Sequence, residues 1–413
     1  MDIDKPLALL GNLTPAHFMR HHWQKKPLVV RQAITAAQQV ITRTELFRLA
    51  ALPDVESRLI AQQPDSPDKG VSGKTGKLAA QWNMRSGPFS ARALPTLTTP
   101  GWTLLVQGVD LHDARMHELM QQFRFIPDAR LDDVMISFAT AKGGVGPHFD
   151  SYDVFLLQTS GRRRWRISRQ KDLTLQEGVP LKILQNFEAD EEFILNAGDM
   201  LYLPPRYAHD GVAEAFNEDG TPSNDCMTCS IGFRAPGQAE LAAELLHRLA
   251  DFNLSDDCDD KIAVKSTAVV HRYKDPGQCA TPTPAELPVG LQEFARGAVL
   301  NALKNPLALA CVLGEYLTEP KPSVWFEAPA ELLEQGPKTR LQLDARTRMI
   351  YDADHIFING ESHRARGADA VLMRRLADCR ALTPNELKRA SKAATGLLQD
   401  WVTAGWASHS MCG

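Results

Sequence analysis

Short runs of apolar, β-branched and aromatic residues fill the middle of the chain, and turn-forming residues separate them. Several short strands at this spacing are typical of a β-sandwich or barrel, whereas alternating β-α units would place long amphipathic helices between the runs. The pattern therefore predicts a β-barrel from Trp102 to Phe233. Its predicted strands are Trp102–Gln107, Asp133–Thr140, Tyr152–Gln158, Arg162–Ser168, Glu192–Leu195, Met200–Leu203 and Met227–Phe233.

The segment before the barrel alternates between helical and strand patterns. It predicts helices at Thr14–His22 and Thr42–Leu52, with a strand at Pro27–Arg31 between them. This order is that of a helical cap that leads into a sheet. Turn-forming residues accumulate between Gln62 and Leu78, which predicts an exposed loop or the tip of a hairpin.

Helical periodicity begins after Pro236, and we therefore place a domain boundary near residue 236. A Pro-rich loop is predicted between Asp275 and Pro284, and Leu291–Leu317 returns to a helical pattern. The apolar stripe exceeds what a linker of this length needs, so we expect residues 237–318 to form a homodimer interface, with an intramolecular bundle as the alternative. The stripe comprises Leu241, Leu245, Leu246, Leu249, Leu300, Leu303, Leu307 and Leu309.

The C-terminal part combines short strand patterns with two helical ones. The second helix carries a complete start signal, with Thr383 at the N-cap, Pro384 at the first position and Glu386 at the third. The predicted strands are Ser323–Phe326, Arg340–Leu343, Arg348–Tyr351 and His355–Ile358, and the predicted helices are Ala368–Ala377 and Pro384–Ala407.

Composition narrows the class of protein. A chain of 413 residues corresponds to two or three domains at about 100–200 residues each. The net charge of −4 excludes a protein that coats nucleic acid through its overall charge, so any polyanion contact requires a local patch. Acidic residues at the N-terminus and the lack of a run of about 18 uncharged apolar residues predict a cytoplasmic protein without a membrane segment.

The seven cysteines are odd in number and scattered, which favours reduced thiols over a disulfide framework. Cys226 and Cys229 form a Cys-x-x-Cys pair with no second pair after it. Because the surrounding segment has a strand pattern, we interpret them as core or strand-face thiols rather than zinc ligands.

Candidate chemistry begins in the sequence Gly-Pro-His-Phe-Asp. His148 and Asp150 are two residues apart, so on an extended strand both side chains leave the same face. A third ligand is present at His209, which follows a Gly-Asp turn, the strand Met200–Leu203 and two prolines. This second segment is close to the second motif of cupin barrels, with Arg206 in place of the final glycine. Two histidines and one carboxylate suit a non-haem Fe(II) site with open positions for reactants.

A second feature lies on the predicted strand Arg162–Ser168. Strand alternation sends Arg162, Arg164 and Arg166 to one face, and Arg163 to the other face with Trp165 and Ile167. An inward guanidinium requires a buried anion, which is either a carboxylate ligand or a carboxylate of the core. The outward arginines form either a solvated face or a contact with a polyanion.

With these motifs, the chain resembles the bacterial JmjC ribosomal oxygenases, which are Fe(II)- and 2-oxoglutarate-dependent arginyl hydroxylases. The resemblance rests on the segments Trp23–Pro27, Ser86–Phe89, Asp132–Phe138, Gly144–Asp150, Gly161–Arg166, Pro204–His209 and Gly232–Pro236.

The resemblance implies a double-stranded β-helix of the JmjC/cupin type in residues 1–236 with its helical cap, a helical dimerisation domain in 237–318 and a winged-helix-like domain in 319–413. It also implies that His148, Asp150 and His209 hold iron, and that Arg163 and Ser137 bind the distal carboxylate of 2-oxoglutarate. The implied reaction uses O₂ and hydroxylates the β-carbon of an arginine in a ribosomal protein, the sixteenth protein of the large subunit. With such a substrate, the outward Arg162, Arg164 and Arg166 form either a contact with ribosomal RNA or a solvated strand face.

The chain departs from the family pattern in three places, one of which is the extra length of the loops after residue 253. Thr228 stands where an asparagine is expected, and the stretch Glu214–Asp225 is inserted. Carboxylates that could receive the substrate guanidinium lie beside the motif strands, although each is also typical of a solvated loop acid: Asp132, Asp133, Asp153 and Asp210.

Two other classes of protein compete with the hydroxylase. A non-redox cupin, such as a sugar isomerase, also has an open metal site, but it would not need the inward Arg163. A non-catalytic ribosome-binding module would explain the appended C-terminal domain, although the complete ligand set argues against it.

Overall fold

A computed structural model describes residues 2–411 with the exception of 36–39, 64–80, 224, 253–271, 275–284, 286 and 329–338. Contacts between residues divide the chain into two units, Met1–Ala235 and Pro236–Gly413. The break lies where strand periodicity changes to helical periodicity. A further division of the second unit at residue 318 stays a prediction.

The first unit consists mainly of antiparallel β-structure. Each strand predicted between Trp102 and Phe233 is present, with ends that shift by two residues at most. In chain order its elements are α1 (Pro15–His21), β1 (Leu28–Val30), α2 (Arg43–Leu49), β2 (Ser57–Gln63), β3 (Gln81–Ser86), β4 (Trp102–Val106), α3 (Ala114–Gln121), β5 (Leu131–Ala139), β6 (Asp153–Ser160), β7 (Arg163–Ser168), β8 (Glu191–Leu195), β9 (Met200–Leu203), β10 (Ala208–Ala213) and β11 (Cys226–Phe233).

These strands form two sheets. The larger sheet has the order β1-β9-β6-β11-β5-β4-β2-β3, and the smaller has the order β10-β7-β8. Side chains of β6 alternate between two cores because successive residues point to opposite faces. Val154 and Leu156 pack with Trp165 of β7 between the sheets, whereas Phe155 joins Phe18 of α1 in the core on the outer face. This arrangement is the predicted JmjC/cupin barrel.

The N-terminal elements cap the outer face of the larger sheet. α1 begins at Thr14, whose hydroxyl accepts a hydrogen bond from the His17 amide over 3.0 Å. α2 begins with a reciprocal capping box between Thr42 and Glu45. β2 and β3 pair as a hairpin, and most of the loop predicted over Gln62–Leu78 lies outside the described residues.

The second unit combines helices with two small three-stranded sheets. Leu341, Leu376, Leu382 and Trp401 belong to one buried core that joins its last three helices to both sheets, which is the predicted winged-helix arrangement. Its elements are α4 (Gln238–Phe252), α5 (Val289–Ala302), α6 (Pro306–Thr318), β12 (Thr339–Leu343), β13 (Met349–Tyr351), β14 (His355–Ile358), β15 (Glu361–Arg364), α7 (Gly367–Cys379), β16 (Ala381–Leu382), α8 (Pro384–Leu387), α9 (Lys392–Thr403) and β17 (Ala407–Met411).

Two helices predicted as continuous are each divided. The pattern Leu291–Leu317 breaks because Pro306 lacks an amide hydrogen and Asn305 before it caps a new helix. The pattern Pro384–Ala407 breaks at Ser391, whose hydroxyl accepts from the Ala394 amide and starts α9. The N-cap predicted at Thr383 is confirmed as a complete capping box with Glu386.

One predicted strand is absent. Ser323–Phe326 begins in a turn, closed by a hydrogen bond of 2.9 Å from the Val324 amide to the Lys321 carbonyl, and continues as irregular chain. In the described part of the chain no single helix has the length and apolar character to cross a membrane. Only α5 and α6, bent by 71° at the break between them, meet that test together.

Candidate active site

The three predicted ligands meet at one junction between strands. His148 and Asp150 lie just before β6, and His209 is the second residue of β10. The backbones of the two histidines are joined by reciprocal hydrogen bonds, 2.9 Å from the His148 amide and 2.8 Å from the His209 amide. This bridge places the side chains of residues distant in sequence next to each other.

One ligand atom from each of His148, Asp150 and His209 lies within 4.8 Å of the other two. The imidazole rings are 4.2 Å apart at their centroids, and Nε2 of His209 is 3.6 Å from a carboxylate oxygen of Asp150. Atoms at these separations are able to surround one metal ion. No other group of three or more His, Cys, Asp or Glu residues in the described ranges has this property.

Backbone carbonyls fix which nitrogen each histidine presents. Nδ1 of His148 donates to the Gly146 carbonyl oxygen over 2.8 Å, and Nδ1 of His209 donates to the Tyr207 carbonyl oxygen over 2.9 Å. A carbonyl only accepts, so the hydrogen of each neutral ring is on Nδ1. Nε2 of both rings is therefore the nitrogen with a free lone pair.

Burial keeps His209 neutral. Desolvation, and secondly the neighbouring His148, lowers the pKa of His209 to about 4, although the nearby Asp150 opposes this effect. At neutral pH the ring is unprotonated, which is the form that binds a metal.

The backbone around the site differs in two respects from the predicted one. Residues 148–150 are not part of a regular strand, and the His148–His209 bridge holds them in place of a strand ladder. His209 lies within β10 rather than beyond a strand end. Arg206, at the position of the motif glycine, has a φ of 63°, the left-handed conformation that explains why glycine is common there.

Arg163 points inward from β7, as the alternation predicts. Only 3% of the residue is exposed, and its guanidinium lies over the Trp165 ring with 5.8 Å to the centroid. Nε and Nη2 are buried and have no hydrogen-bond acceptor. A buried guanidinium with unused donors fits an anionic ligand, and no carboxylate of the described core pairs with it.

Ser137 of β5 lies in the same cavity as Arg163. It is paired with Thr228 across β5 and β11, and its hydroxyl donates a long hydrogen bond of 3.4 Å to the Thr228 carbonyl. The Thr228 hydroxyl donates to the side-chain oxygen of Gln158 over 2.8 Å. Ser137, one of the two predicted cosubstrate residues, thus lies beside the hydroxyl-bearing Thr228 of the neighbouring strand.

All five predicted site residues line one cavity between the two sheets, with a volume of about 200 Å³. Sequence reasoning missed Tyr152, whose hydroxyl donates to Asp150, and the Trp165 ring beside Arg163. Strand alternation already placed Trp165 on the face of Arg163 without giving it a role, whereas Tyr152 lies outside a regular strand and no local pattern identified it.

Two of the four carboxylates considered for substrate binding are structural. Asp153 is fully buried, accepts from Tyr202 over 2.6 Å and from Gln24 over 2.9 Å, and pairs with Arg130 over 3.1 Å. Asp210 is buried on β10 and pairs with Arg166. Neither is a solvated loop acid, because the strands that carry them bury both side chains.

The other two carboxylates lie at the beginning of β5. Asp132 accepts from Arg234 over 3.2 Å, and Asp133 accepts from the Gln107 side chain over 2.9 Å. Both are close enough to Tyr152 to raise the pKa of its phenol, after the larger effects of burial and Asp150. These two carboxylates therefore lie within electrostatic reach of Tyr152, which lines the cavity.

The outward arginines of the Arg162–Ser168 segment are engaged by local acceptors. Arg162 donates to Asn196 over 3.0 Å, and Arg164 pairs with Glu192 and with Glu214 of the inserted stretch. The insertion thus packs beside β7. Cys226 and Cys229 are both buried on β11, in agreement with core thiols.

Comparisons with known proteins agree with this fold and site. Residues 118–241 match a family model described as a JmjC domain, and residues 301–408 match one described as a ROXA-like winged helix. The chain is 32% identical to the "Ribosomal protein uL16 3-hydroxylase" of Escherichia coli K12 over 358 residues, which are 83% of this chain and 84% of that protein. It is 33% identical to a "Probable ribosomal oxygenase" of Haemophilus influenzae over 60% of this chain and 57% of the relative.

Solved structures give the same result over nearly the whole chain. An X-ray structure of Escherichia coli YcfD superposes with a TM-score of 0.76 at 27% identity and covers 96% of this chain and 98% of that one. A second structure of YcfD, described as a ribosomal oxygenase in complex with cobalt and 2-oxoglutarate, superposes with a TM-score of 0.73. The fold and the cavity define a JmjC oxygenase. The chain belongs to the family of JmjC ribosomal oxygenases.

Proposed function

We propose that this protein is an Fe(II)- and 2-oxoglutarate-dependent oxygenase that hydroxylates the β-carbon of an arginine in a ribosomal protein, namely the sixteenth protein of the large subunit. The observation that carries the proposal is the convergence of three metal-ligand atoms within 4.8 Å of one another in a cavity that also contains the unsatisfied guanidinium of Arg163. The related uL16 3-hydroxylase supports the substrate. A ribosomal substrate also implies the cytoplasmic location that the sequence predicts.

The donor set suits iron. His148 and His209 would bind through Nε2, and Asp150 would bind through a carboxylate oxygen. Two histidines and one carboxylate leave coordination positions open, which is the arrangement of non-haem Fe(II) oxygenases. When bound, iron and 2-oxoglutarate together supply the activation of O₂ and the oxidation of a C–H bond.

The residues on β5 and β7 suit the second carboxylate of 2-oxoglutarate. Arg163 would donate from its unused N–H groups, and the Ser137 hydroxyl would add a neutral hydrogen bond. Because Arg163 is 3% exposed, water competes little for these donors, and charge-assisted hydrogen bonds are strong in such surroundings. The ring of Trp165 lies beside the guanidinium of Arg163 and lines the same cavity.

The part of the cavity around Tyr152 suits an arginine side chain. Asp132 and Asp133 lie on one side, and Tyr152 offers an aromatic ring at the entrance. A guanidinium gains from carboxylates and from the face of an aromatic ring at once. Tyr152 also holds Asp150 through its hydroxyl, which would orient the carboxylate toward the metal.

The second unit supports the proposed homodimer. α5 buries none of its residues in the described chain, and Val299, Leu300, Leu303 and Leu307 are 40–51% exposed. Part of the predicted stripe has another role, because Leu249 is fully buried with Ala308 and Val312 within the same unit. The remaining apolar surface is the part that we assign to the partner subunit.

The contact with ribosomal RNA through Arg162, Arg164 and Arg166 has less support. Phosphate groups would have to displace Glu192, Glu214 and Asp210 from Arg164 and Arg166. A solvated, internally paired strand face therefore agrees better with the contacts.

One experiment tests the proposed function directly. Purified protein is incubated with Fe(II), 2-oxoglutarate and isolated ribosomal proteins, and the proteins are examined by mass spectrometry. We expect one large-subunit protein to gain the mass of one oxygen atom, on an arginine located by fragmentation. A reaction that consumes 2-oxoglutarate but leaves every ribosomal protein unchanged would reject the substrate, and no consumption at all would reject the enzyme class.

A further inference from the structure

A cationic surface lies on α1 and the turn that follows it. We call it the α1 patch, and five of its six members are exposed to solvent, His22 being half-buried. The rings of His17 and His21 lie one helical turn apart with 4.3 Å between their centroids. The α1 patch consists of His17, Arg20, His21, His22, Lys25 and Lys26.

The α1 patch has no internal counter-charge. In the part of the chain that the structure describes, no carboxylate lies at ion-pair distance from Arg20, Lys25 or Lys26, whereas Arg124, Arg130 and Arg164 of the same unit are all paired. Desolvation, followed by the charges of His17, Arg20, Lys25 and Lys26, lowers the pKa of His21. These charges therefore act at one place, and an anion bound there would relieve their repulsion.

The α1 patch is held in a fixed position. Gln24 has a φ of 56°, and its amide donates to the Tyr202 hydroxyl over 2.7 Å. Its side chain donates to Asp153 over 2.9 Å, and Trp23 before it is buried. Asp153 begins β6, three residues after the candidate metal ligand Asp150, so the α1 patch is anchored to the strand that leads away from the active site.

We propose that the α1 patch binds RNA, with its lysines and arginine on the phosphate backbone and the imidazoles of His17 and His21 stacked on unpaired bases. The chain as a whole carries a net charge of −4, so such binding depends on this local surface. Cations next to exposed aromatic rings are the usual means of holding single-stranded RNA, whereas a lipid surface offers nothing on which a ring stacks. A cationic partner would be repelled by the α1 patch.

The source of the RNA depends on the proposed function, but the affinity of the α1 patch for RNA does not. If the substrate is a ribosomal protein, the RNA is that which accompanies it. The two surfaces would then bind oppositely charged parts of one ribonucleoprotein particle. The cationic arginine would enter the cavity, and the RNA would lie on the α1 patch.

The test measures fluorescence anisotropy of a labelled 20-nucleotide RNA with the full-length protein over a range of salt concentrations. Lys25→Glu/Lys26→Glu should weaken binding at least about tenfold and reduce the dependence of log K on log salt by about 0.7 for each phosphate that is no longer neutralised. The matched control is Arg48→Glu/Lys171→Glu, which changes the net charge equally at exposed positions outside the α1 patch. It should change the affinity by less than about twofold.

His17→Ala/His21→Ala separates stacking from charge, because it should weaken binding of RNA but not of inorganic polyphosphate. Circular dichroism verifies that each variant is folded, and hydroxylation of an isolated substrate protein should be unchanged in all of them. Equal loss of affinity in the two charge-reversal variants would overturn the proposal. Binding to phosphatidylglycerol vesicles without binding to RNA would also overturn it.

Discussion

Thr228 donates its hydroxyl hydrogen to the side-chain oxygen of Gln158 over 2.8 Å, directly across the paired strands β11 and β6. Gln158 is fully buried, and its amide nitrogen donates to the Ser160 carbonyl over 2.7 Å. The Thr228 hydroxyl therefore satisfies a buried group next to the cosubstrate cavity, at a position where the family pattern leads one to expect asparagine.

Replacement of this hydroxyl by a methyl group should destabilise the protein. Thr228→Val keeps the shape but leaves Gln158 Oε1 without its donor, so we expect the free energy of unfolding to fall by about 1–3 kcal/mol. Urea denaturation followed by tryptophan fluorescence measures this change. Thr228→Ser retains the hydroxyl and should recover most of the stability. Equal stability of the valine variant and the wild type would show that the hydrogen bond has no net value.

Removal of either His148 or Asp150 should abolish metal binding. His148→Ala or Asp150→Ala removes a ligand from the set of three, and we expect no measurable binding of Co(II) in titration calorimetry, because the remaining groups are too few to hold the ion. The fold should persist, since the backbone bonds of His148 do not involve its side chain. Substitution of an exposed histidine outside the site, His17→Ala, is the control. Full affinity in either site variant would reject the assignment.

Arg163 should determine the affinity for 2-oxoglutarate. Arg163→Met removes the guanidinium but keeps an apolar side chain over Trp165, so the metal should still bind. We expect the affinity for 2-oxoglutarate to fall by about 1.5–3 kcal/mol, which corresponds to about 10–150-fold in the dissociation constant. Calorimetric titration into Co(II)-loaded protein measures both steps. An unchanged dissociation constant would mean that Arg163 has only a structural role.

Stability of the metal-free protein should depend on His209. Its folded-state pKa of about 4 is below the ordinary value of 6.5, so above pH 6.5 both folded and unfolded states are neutral at this residue. As pH falls from 6.5 to 4 only the unfolded state takes up the proton, and about 3 kcal/mol of stability is lost. Denaturant titrations of wild type and His209→Gln in the presence of a chelator should differ in their pH dependence over this range. Parallel pH profiles would contradict the expectation.

The oligomeric state should be dimeric. Static light scattering at micromolar concentration should give twice the chain mass of 45.7 kDa. Leu300→Glu/Leu303→Glu places charges on the exposed face of α5 and the residue that follows it and should yield monomers, whereas Gln292→Glu on the same helix should not. A mass of one chain for the wild type would exclude the proposed dimer.

Most of the barrel could be predicted from the sequence, and the reason is visible at β9. Met200–Leu203 is an unbroken apolar run that is buried on both faces, and its observed bounds equal the predicted ones. The inward direction of Arg163 could be predicted in a similar way, because strand alternation assigns it to the face of Trp165. The local pattern is sufficient to predict a strand when all its residues follow one burial pattern, either continuous burial or strict alternation.

β10 could not be predicted because contacts with residues distant in sequence, rather than local strand preference, determine its conformation. His209, Asp210 and Gly211 have low strand preference, yet all pair with β7 in the ladder. A side chain at Gly211 would approach ring atoms of Trp165 to 2.7 Å, so glycine is required by packing against a residue distant in sequence. The breaks at Pro306 and Ser391 are different, since proline and a capping serine mark them locally.

The bridge between His148 and His209 determines whether the metal site loses its conformational entropy on folding or on metal binding. Two short stretches of chain that are far apart in sequence are already aligned by backbone hydrogen bonds, independently of any ligand. The conformational entropy of loop closure therefore belongs to folding rather than to metal binding. A pre-aligned site of this kind would release and rebind its ion without refolding. Loss of the metal would therefore abolish activity reversibly, and addition of the metal would restore it.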